Sequence, residues 1–202
     1  MDMEEKVPQD GQQAQPEMPK SKLTPARVKV IRGVYEFVDI LVSALLVIFL
    51  VFTFLFRLVG VEGGSMEPTL QEGDRLLVSS LHYEPEYKDI VIITQPNVFH
   101  EPIVKRVIAT GGQTVDIDFE QGIVYVDGEA LSEPYVNAPT LTQEGVEFPV
   151  TVPEGYLFVM GDNRNKSTDS RSPQIGFIDE RYVLGKVECR LTPLGQWSVY
   201  DN

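Results

Sequence analysis

An almost uninterrupted apolar run lies before residue 60. Between Phe37 and Phe56 the only charged residue is Asp39. At about 1.5 Å per residue in a helix, a run of this length covers roughly the 30 Å hydrocarbon thickness of a bilayer. The pattern predicts a transmembrane helix over residues 34–58. A cleaved signal peptide, whose apolar stretch is only about 7 to 15 residues long, and a buried core helix are the alternatives.

Beyond residue 60 the pattern changes to short β-branched runs separated by turn residues. Residues 114–131 alternate apolar and polar positions, with turn signals at Gln121-Gly122 and Asp127-Gly128, and predict a hairpin or meander. No later segment keeps a helical apolar period. The sequence therefore predicts a mainly β, compact all-β domain over residues 59–202. The remaining predicted strands lie at residues 76–78, 89–94, 103–108, 150–160 and 183–191.

The region before the apolar run has a different composition. Up to about residue 26 it contains prolines and glutamines but no aromatic residue, so residues 1–33 are predicted to form a disordered tail. Basic residues are concentrated before the run, and Arg57 is the first one after it. This bias predicts a cytoplasmic N-terminus, one passage through the cell membrane and an extracytoplasmic β domain. The basic residues nearest before the run are Lys20, Lys22, Arg27, Lys29 and Arg32.

Composition excludes several classes of site. The chain has 30 acidic and 17 basic residues and a net charge of −13, which argues against binding nucleic acid. The single cysteine, Cys189, cannot close an internal disulfide. His82 and His100 do not form a zinc-ligand spacing with it, and the acids of residues 116–120 lack the glycine position of a calcium loop. No metal and no cofactor are predicted.

The candidate nucleophile is Ser65, in the segment Gly63-Gly64-Ser65-Met66-Glu67-Pro68. The two glycines remove side-chain bulk and the proline fixes a bend, so the serine can be presented on a loop to a substrate backbone. An ordinary turn is the alternative. A hydroxyl nucleophile needs a proton acceptor, and neither His82 nor His100 lies in a context that suggests this role.

Lys105 is the candidate proton acceptor. In a strand, Ile103, Lys105 and Val107 share one face, so the lysine has apolar neighbours. Burial among them would lower the pKa of its amine and allow it to act as a base. The alternative is a strand lysine whose amine extends into water.

The polar run Gly161–Arg171 follows the strand-like segment that ends at Met160. It is dense in hydroxyls and in charges of both signs. Such a loop can orient a lysine amine and can be braced by carboxylate–guanidinium bonds, or it can be simply a turn.

Four segments in this order resemble the type I signal peptidase family, in its shorter, single-span bacterial form. They are GGSMEPTL at 63–70, GDRLLVSSL at 73–81, VKRVIATGGQTV at 104–115 and GDNRNKSTDSR at 161–171. The likeness covers residues from about 35 to about 190. It implies a membrane-anchored all-β serine protease that removes signal peptides from exported preproteins after small residues of the Ala-X-Ala type. The implied partners are preproteins and the lipid bilayer, without nucleic acid or metal.

The resemblance also implies residue roles. Ser65 would be the nucleophile, Lys105 the general base, and the backbone N–H of Ser65 an oxyanion donor. Gly63 departs from members that carry a hydroxyl donor there, and Asn165-Lys166 stands where an Asp-Asn pair is common. The supporting roles are Ser167 holding the Lys105 amine, Asp169 and Arg171 forming an ion pair, Arg106 lying beside the base, and Met66 lying near the substrate and membrane interface.

Three alternatives for the function remain. A self-cleaving, repressor-like Ser/Lys protease would carry a DNA-binding domain where this chain has an apolar run. A sortase-type transpeptidase would need histidine near its cysteine, which Cys189 lacks in the sequence. An inactive, anchored β domain acting as a binding module is suggested only by Gly63.

Overall fold

The computed structural model describes residues 24–80, 83–193, 195 and 197–199. The first 23 residues of the predicted tail, and His82, lie outside the described residues. The chain divides after Val47 into two compact units, which are considered separately. The predicted division into tail, membrane span and catalytic domain stays a prediction.

The N-terminal element is one long helix, α1, from Pro25 to Leu55. A proline suits the first helical position because it has no backbone N–H to leave unpaired there. Within Arg27–Leu55, an 18-residue window has a mean hydropathy of 2.8 and is not buried within the structure. By length and composition the helix could cross a membrane.

The rest of the chain is built from antiparallel strands, which confirms the mainly β prediction. Two strands, β1 and β10, lie outside the segments predicted as strands, and residues 56–58 of β1 belong to the segment predicted as a transmembrane helix. A 3₁₀ turn at Glu180–Tyr182 precedes the last strand. The strands are β1 (Phe56–Gly60), β2 (Arg75–Ser79), β3 (Ile90–Ile93), β4 (Ile103–Thr110), β5 (Thr114–Asp118), β6 (Ile123–Val126), β7 (Glu129–Ala130), β8 (Val150–Thr151), β9 (Tyr156–Met160), β10 (Ile178–Asp179) and β11 (Val183–Thr192).

A seven-stranded sheet has the order β1-β2-β11-β3-β4-β9-β10, and a four-stranded sheet has the order β7-β6-β5-β8. Strand β4 lies between β3 and β9, with Lys105 opposite Val91 and Arg106 opposite Met160. Because β9 ends at Met160, the polar run that follows it begins beside the middle of β4. The topology thus explains how two segments far apart in sequence meet.

The connection between β1 and β2 carries Ser65 and is held by apolar anchors. Met66 and Leu70 are buried in a cluster with Leu76 and Val78 of β2. Burying side chains of this size removes about 1.5–3 kcal/mol each of unfavourable hydration. The turn that presents the serine is therefore attached to the core directly after the serine itself.

The connection between β7 and β8 is irregular and packs against the polar run. We call residues 131–149 the strap. The side-chain oxygen of Asn165 accepts hydrogen bonds from the backbone N–H groups of Leu141 and Thr142, at 3.0 and 3.1 Å. The N–H of Val146 donates to the carbonyl of Arg171 at 3.0 Å. These bonds hold the strap on the loop that follows β9.

Candidate active site

Ser65 and Lys105 come together as the sequence predicts. The amine nitrogen Nζ of Lys105 lies 2.8 Å from Oγ of Ser65. The lysine is 3 % exposed, and the serine is half-buried. A hydroxyl and an amine at this distance can exchange a proton directly.

Burial lowers the pKa of the Lys105 amine, because the charged form loses its hydration. The negative charges of Asp169 and Glu144, and then of Asp162, act in the opposite direction, while Arg171 adds to the lowering. The net shift is downward. At a given pH the site therefore holds more of the amine in its neutral form, the form that can accept a proton, than a free lysine would.

The polar run is tied to the nucleophile turn by Asn163, a residue that the sequence interpretation did not single out. Its backbone N–H donates to the carbonyl of Ser65 at 3.0 Å. Its side-chain Nδ2 donates to the carbonyl of Gly64 at 2.9 Å. Two bonds from one buried residue thus fix two consecutive peptide groups of the turn.

Gly161 leaves no room for a side chain at this junction. A Cβ there would lie 2.5 Å from the Cβ of Ser167 and 2.5 Å from the carbonyl oxygen of Ser65. Real Cβ atoms essentially never approach other atoms so closely. The close approach of the polar run to Ser65 therefore requires glycine at position 161.

The predicted ion pair between Asp169 and Arg171 is present. Their Nε–Oδ1 distance is 2.8 Å, and both side chains are fully buried. The second carboxylate oxygen, Oδ2, accepts from the N–H of Gly161 at 2.9 Å and from the hydroxyl of Ser167 at 2.9 Å. Asp169 thus holds both the first residue of the polar run, Gly161, and its last residue, Arg171.

The hydroxyl of Ser167 has Asp169 as its partner in this structure. Its hydroxyl donates to Asp169, and the described residues contain no hydrogen bond between Ser167 and Lys105. A carboxylate two residues away is a charged acceptor within local reach, and bonds to charged groups are the stronger ones. In this structure Ser167 is therefore linked to Asp169, and its predicted bond to the Lys105 amine stays a prediction.

Arg106 neighbours Lys105 in the chain, but its side chain forms a separate buried pair. It donates to both carboxylate oxygens of Asp162, at 2.8 and 2.6 Å, and to the carbonyl of Lys88 at 2.9 Å. Its guanidinium lies 4.0 Å from the ring centroid of Tyr135 in the strap. Successive strand residues point to opposite faces, so Arg106 supports the sheet behind the base.

The strap supplies two acids that no sequence pattern identified. Glu133 binds Arg164 through both oxygens, at 2.7 and 2.6 Å. Burial alone would lower the pKa of Arg164, but these bonds raise it overall. Glu144 lies 3.4 Å from the guanidinium of Arg171, and burial, followed by the charge of Asp169, raises the pKa of its carboxyl. Because the strap has no regular period, nothing in the sequence indicates which of its acids reach the site.

A cavity of about 960 Å³ opens beside Ser65 and Lys105. Met66 contributes to its lining, but its side chain is 1 % exposed and belongs to the core. The predicted position of Met66 near the substrate and membrane interface stays a prediction, and in this structure the side chain packs inward beneath the turn. Apolar residues of the wall include Val59, Ile92, Phe99, Ile103 and Val104.

The backbone N–H of Ser65 belongs to a residue that lines this cavity. Among the residues that the structure describes, the N–H of Ser65 has no hydrogen-bond acceptor. Gly63 has φ of 73°, a left-handed conformation that favours glycine, and a Cβ there would meet nothing within 4 Å. Gly63, where some family members carry a hydroxyl, thus has open space beside it.

Similarity to known proteins identifies the family of this chain. A family model described as signal peptidase, peptidase S26, matches residues 34–192. The chain is 39 % identical over 176 residues to signal peptidase I of Bacillus licheniformis, covering 81 % of this chain and 91 % of that protein. It is 40 % identical over 167 residues to signal peptidase I T of Bacillus subtilis strain 168, covering 77 % and 84 %. A signal peptidase I structure from Enterococcus faecalis V583 is 31 % identical, with a TM-score of 0.42, and covers 52 % of this chain and 97 % of that chain. The chain belongs to the signal peptidase family, peptidase S26, and is a serine peptidase.

Proposed function

We propose that this chain is a membrane-anchored endopeptidase that removes N-terminal signal peptides from preproteins, with Ser65 as nucleophile and Lys105 as general base. The observation that carries the proposal is the 2.8 Å contact between the buried amine and the hydroxyl. The named relatives support signal peptides as the substrates.

The reaction begins with neutral Lys105, which accepts the proton of Ser65 while Oγ attacks the scissile carbonyl carbon. Negative charge develops on the carbonyl oxygen, and the N–H of Ser65 is the donor available to stabilise it. The protonated lysine then gives its proton to the leaving amine, and the C–N bond breaks. A water molecule, deprotonated by Lys105, then attacks the acyl carbon. The bond from this carbon to Oγ breaks, Lys105 returns the proton to Oγ, and the signal peptide is released.

The charges around the base suit both halves of this cycle. Burial favours the neutral amine before attack, whereas the nearby carboxylates of Asp169 and Glu144 stabilise the ammonium that forms during attack. Of these carboxylates, Asp169 has the larger effect on the pKa of Lys105. Its fully buried ion pair with Arg171 limits its motion. A base with a pKa near the working pH accepts and returns a proton most efficiently.

We further propose that α1 anchors the enzyme in the cell membrane, with a cytoplasmic N-terminus and an extracytoplasmic catalytic domain. Support comes from the apolar stretch Arg27–Leu55 and from the basic residues that precede or begin it. Treating membranes with alkaline carbonate tests the anchor. Release of the full chain into the supernatant would contradict it.

The cavity beside Ser65 is the proposed site for the substrate segment before the scissile bond. Its polar and apolar lining suits an extended peptide that bonds through its backbone and inserts alternate side chains. Small residues at the first and third positions before the cut are proposed from the family resemblance. Replacing alanine with leucine at either position of a preprotein should abolish cleavage, and equal cleavage would contradict the specificity.

The catalytic pair is tested with the full chain in detergent and a preprotein that carries an Ala-X-Ala site. Ser65→Ala and Lys105→Met should each lower kcat by roughly 100-fold to 10,000-fold, since nucleophile and base are both required. Lys88→Met, at an exposed lysine, is the matched control and should cleave like the parent. Retained cleavage in either dyad variant, or a parent chain that cleaves no preprotein, would overturn the proposal.

A further inference from the structure

The side chain of Asn163 binds the peptide group between Gly64 and Ser65, whose N–H is the proposed oxyanion donor. Its Nδ2 lies 2.9 Å from the carbonyl oxygen of Gly64 and 3.4 Å from Oε2 of Glu67. Asn163 is 7 % exposed, so bulk water has little access to its side-chain amide and does not readily take the place of these two acceptors. The amide is therefore held with its NH₂ group toward the nucleophile turn.

The carbonyl of Gly64 and the N–H of Ser65 belong to one peptide plane. In a trans peptide these two groups point in opposite directions. Fixing the carbonyl toward Asn163 therefore fixes the N–H away from Asn163. This N–H has no acceptor among the described residues, as a donor reserved for a substrate oxygen requires.

The local sequence makes this restraint necessary. Gly63 and Gly64 have no side chains that restrict their dihedral angles, so rotation of the next peptide plane meets little steric resistance. Gly63 also supplies no hydroxyl that could act as a second donor. Within the turn, the N–H of Glu67 also donates to the Gly64 carbonyl, but at 3.3 Å, so the shorter bond of 2.9 Å from Asn163 is the main restraint on this peptide plane.

We infer that Asn163 is a positioning residue that orients the Gly64–Ser65 peptide so that its N–H stabilises the oxyanion. The inference deepens the proposed function and depends on it. Asn163 touches neither the reacting hydroxyl nor the base. It acts only through the peptide plane, so its contribution is largest in the transition state and small in substrate binding.

The test uses Asn163→Asp, which keeps the shape and cannot donate when it is ionised, and Asn163→Ala, both in the full chain and at a pH at which the carboxyl is ionised. In both variants the backbone bond from residue 163 to the Ser65 carbonyl is retained. Loss of one oxyanion donor costs roughly 100-fold to 1,000-fold in kcat, so partial loss of its orientation should cost roughly 10-fold to 100-fold with little change in KM. Cleavage of a peptide substrate measures both constants.

A pair of inhibitors separates orientation from general loosening. A peptide aldehyde forms a tetrahedral adduct with Ser65, whereas the matching peptide alcohol does not. Affinity for the aldehyde should fall with kcat, and affinity for the alcohol should stay constant. Asn165→Ala is the matched control, since that asparagine binds only the strap and should leave the aldehyde-to-alcohol ratio unchanged.

Three results would overturn the inference. They are unchanged kcat in both Asn163 variants, parallel loss of aldehyde and alcohol affinity, or an equal effect of Asn165→Ala. Failure of the proposed function is distinguishable, because it appears as retained cleavage by Ser65→Ala. Thermal unfolding of each variant identifies a loss of fold, and the isosteric Asp variant remains informative if the Ala variant unfolds.

Discussion

Replacing Gly161 with alanine tests the close packing between the polar run and the nucleophile. The new Cβ would lie 2.5 Å from the carbonyl oxygen of Ser65 and from the Cβ of Ser167, both inside the 3.0 Å limit for real Cβ contacts. Ser167 is 3 % exposed and bonded to Asp169, so it has little room to move away. The turn carrying Ser65 must therefore shift by about 0.5 Å or more, roughly half of the 1 Å misplacement that can cost about 100-fold in rate.

Gly161→Ala should lower kcat/KM by roughly 10-fold to 100-fold. Overpacking of a buried site should also cost about 1–3 kcal/mol of unfolding free energy, which lowers Tm by several degrees in a chain of this size. Preprotein cleavage in detergent and thermal unfolding measure the two effects. Gly33→Ala is the control, because a Cβ at that helical position meets nothing within 4 Å. Parent-like activity and Tm for Gly161→Ala would refute the packing argument.

Three further predictions concern charge. Because the proposed base is the neutral amine of Lys105 and burial lowers its pKa, kcat/KM should rise with pH through a midpoint below that of a free lysine; a profile that stays flat down to pH 5 would contradict a lysine base. The charge of Glu144 raises the pKa of Lys105, so Glu144→Gln should move the acid limb of this profile to lower pH; a move to higher pH would reverse the assigned sign. Arg106→Met leaves the fully buried carboxylate of Asp162 without its ion partner and should cost about 3–5 kcal/mol in urea unfolding; a loss below about 1 kcal/mol would show that the pair is not structural.

The sequence predicted those parts of the fold that depend on local pattern. The β-branched runs became strands, and of the two interpretations that the alternation around Lys105 allowed, a buried amine or one extending into water, the structure has the buried one. Strand β1 was missed because Phe56–Gly60 continues the apolar run, and only pairing with β2 makes it a strand. A strand of this kind is defined by a distant partner, which a local period cannot reveal.

The candidate site was predictable where one residue type determines the chemistry and less so where geometry does. Ser65 and Lys105 follow from the need for a nucleophile and a base, together with the family resemblance. The direction of the Ser167 hydroxyl and the burial of Met66 depend on neighbours that meet only in the folded chain. Glu144 reaches Arg171 from the irregular strap, so no spacing in the sequence connects them.

The proposal that Lys105 is the general base is tested most directly by titrating its amine. Lysine labelled with ¹³C at Cε, in the intact chain in detergent, reports each amine by NMR as pH is raised, and Lys105→Met assigns the signal. If burial lowers the pKa of Lys105, this amine loses its proton at a lower pH than the exposed lysines, below its ordinary pKa of 10.5. A Lys105 amine that deprotonates together with the exposed lysines, or at a higher pH, would contradict the account.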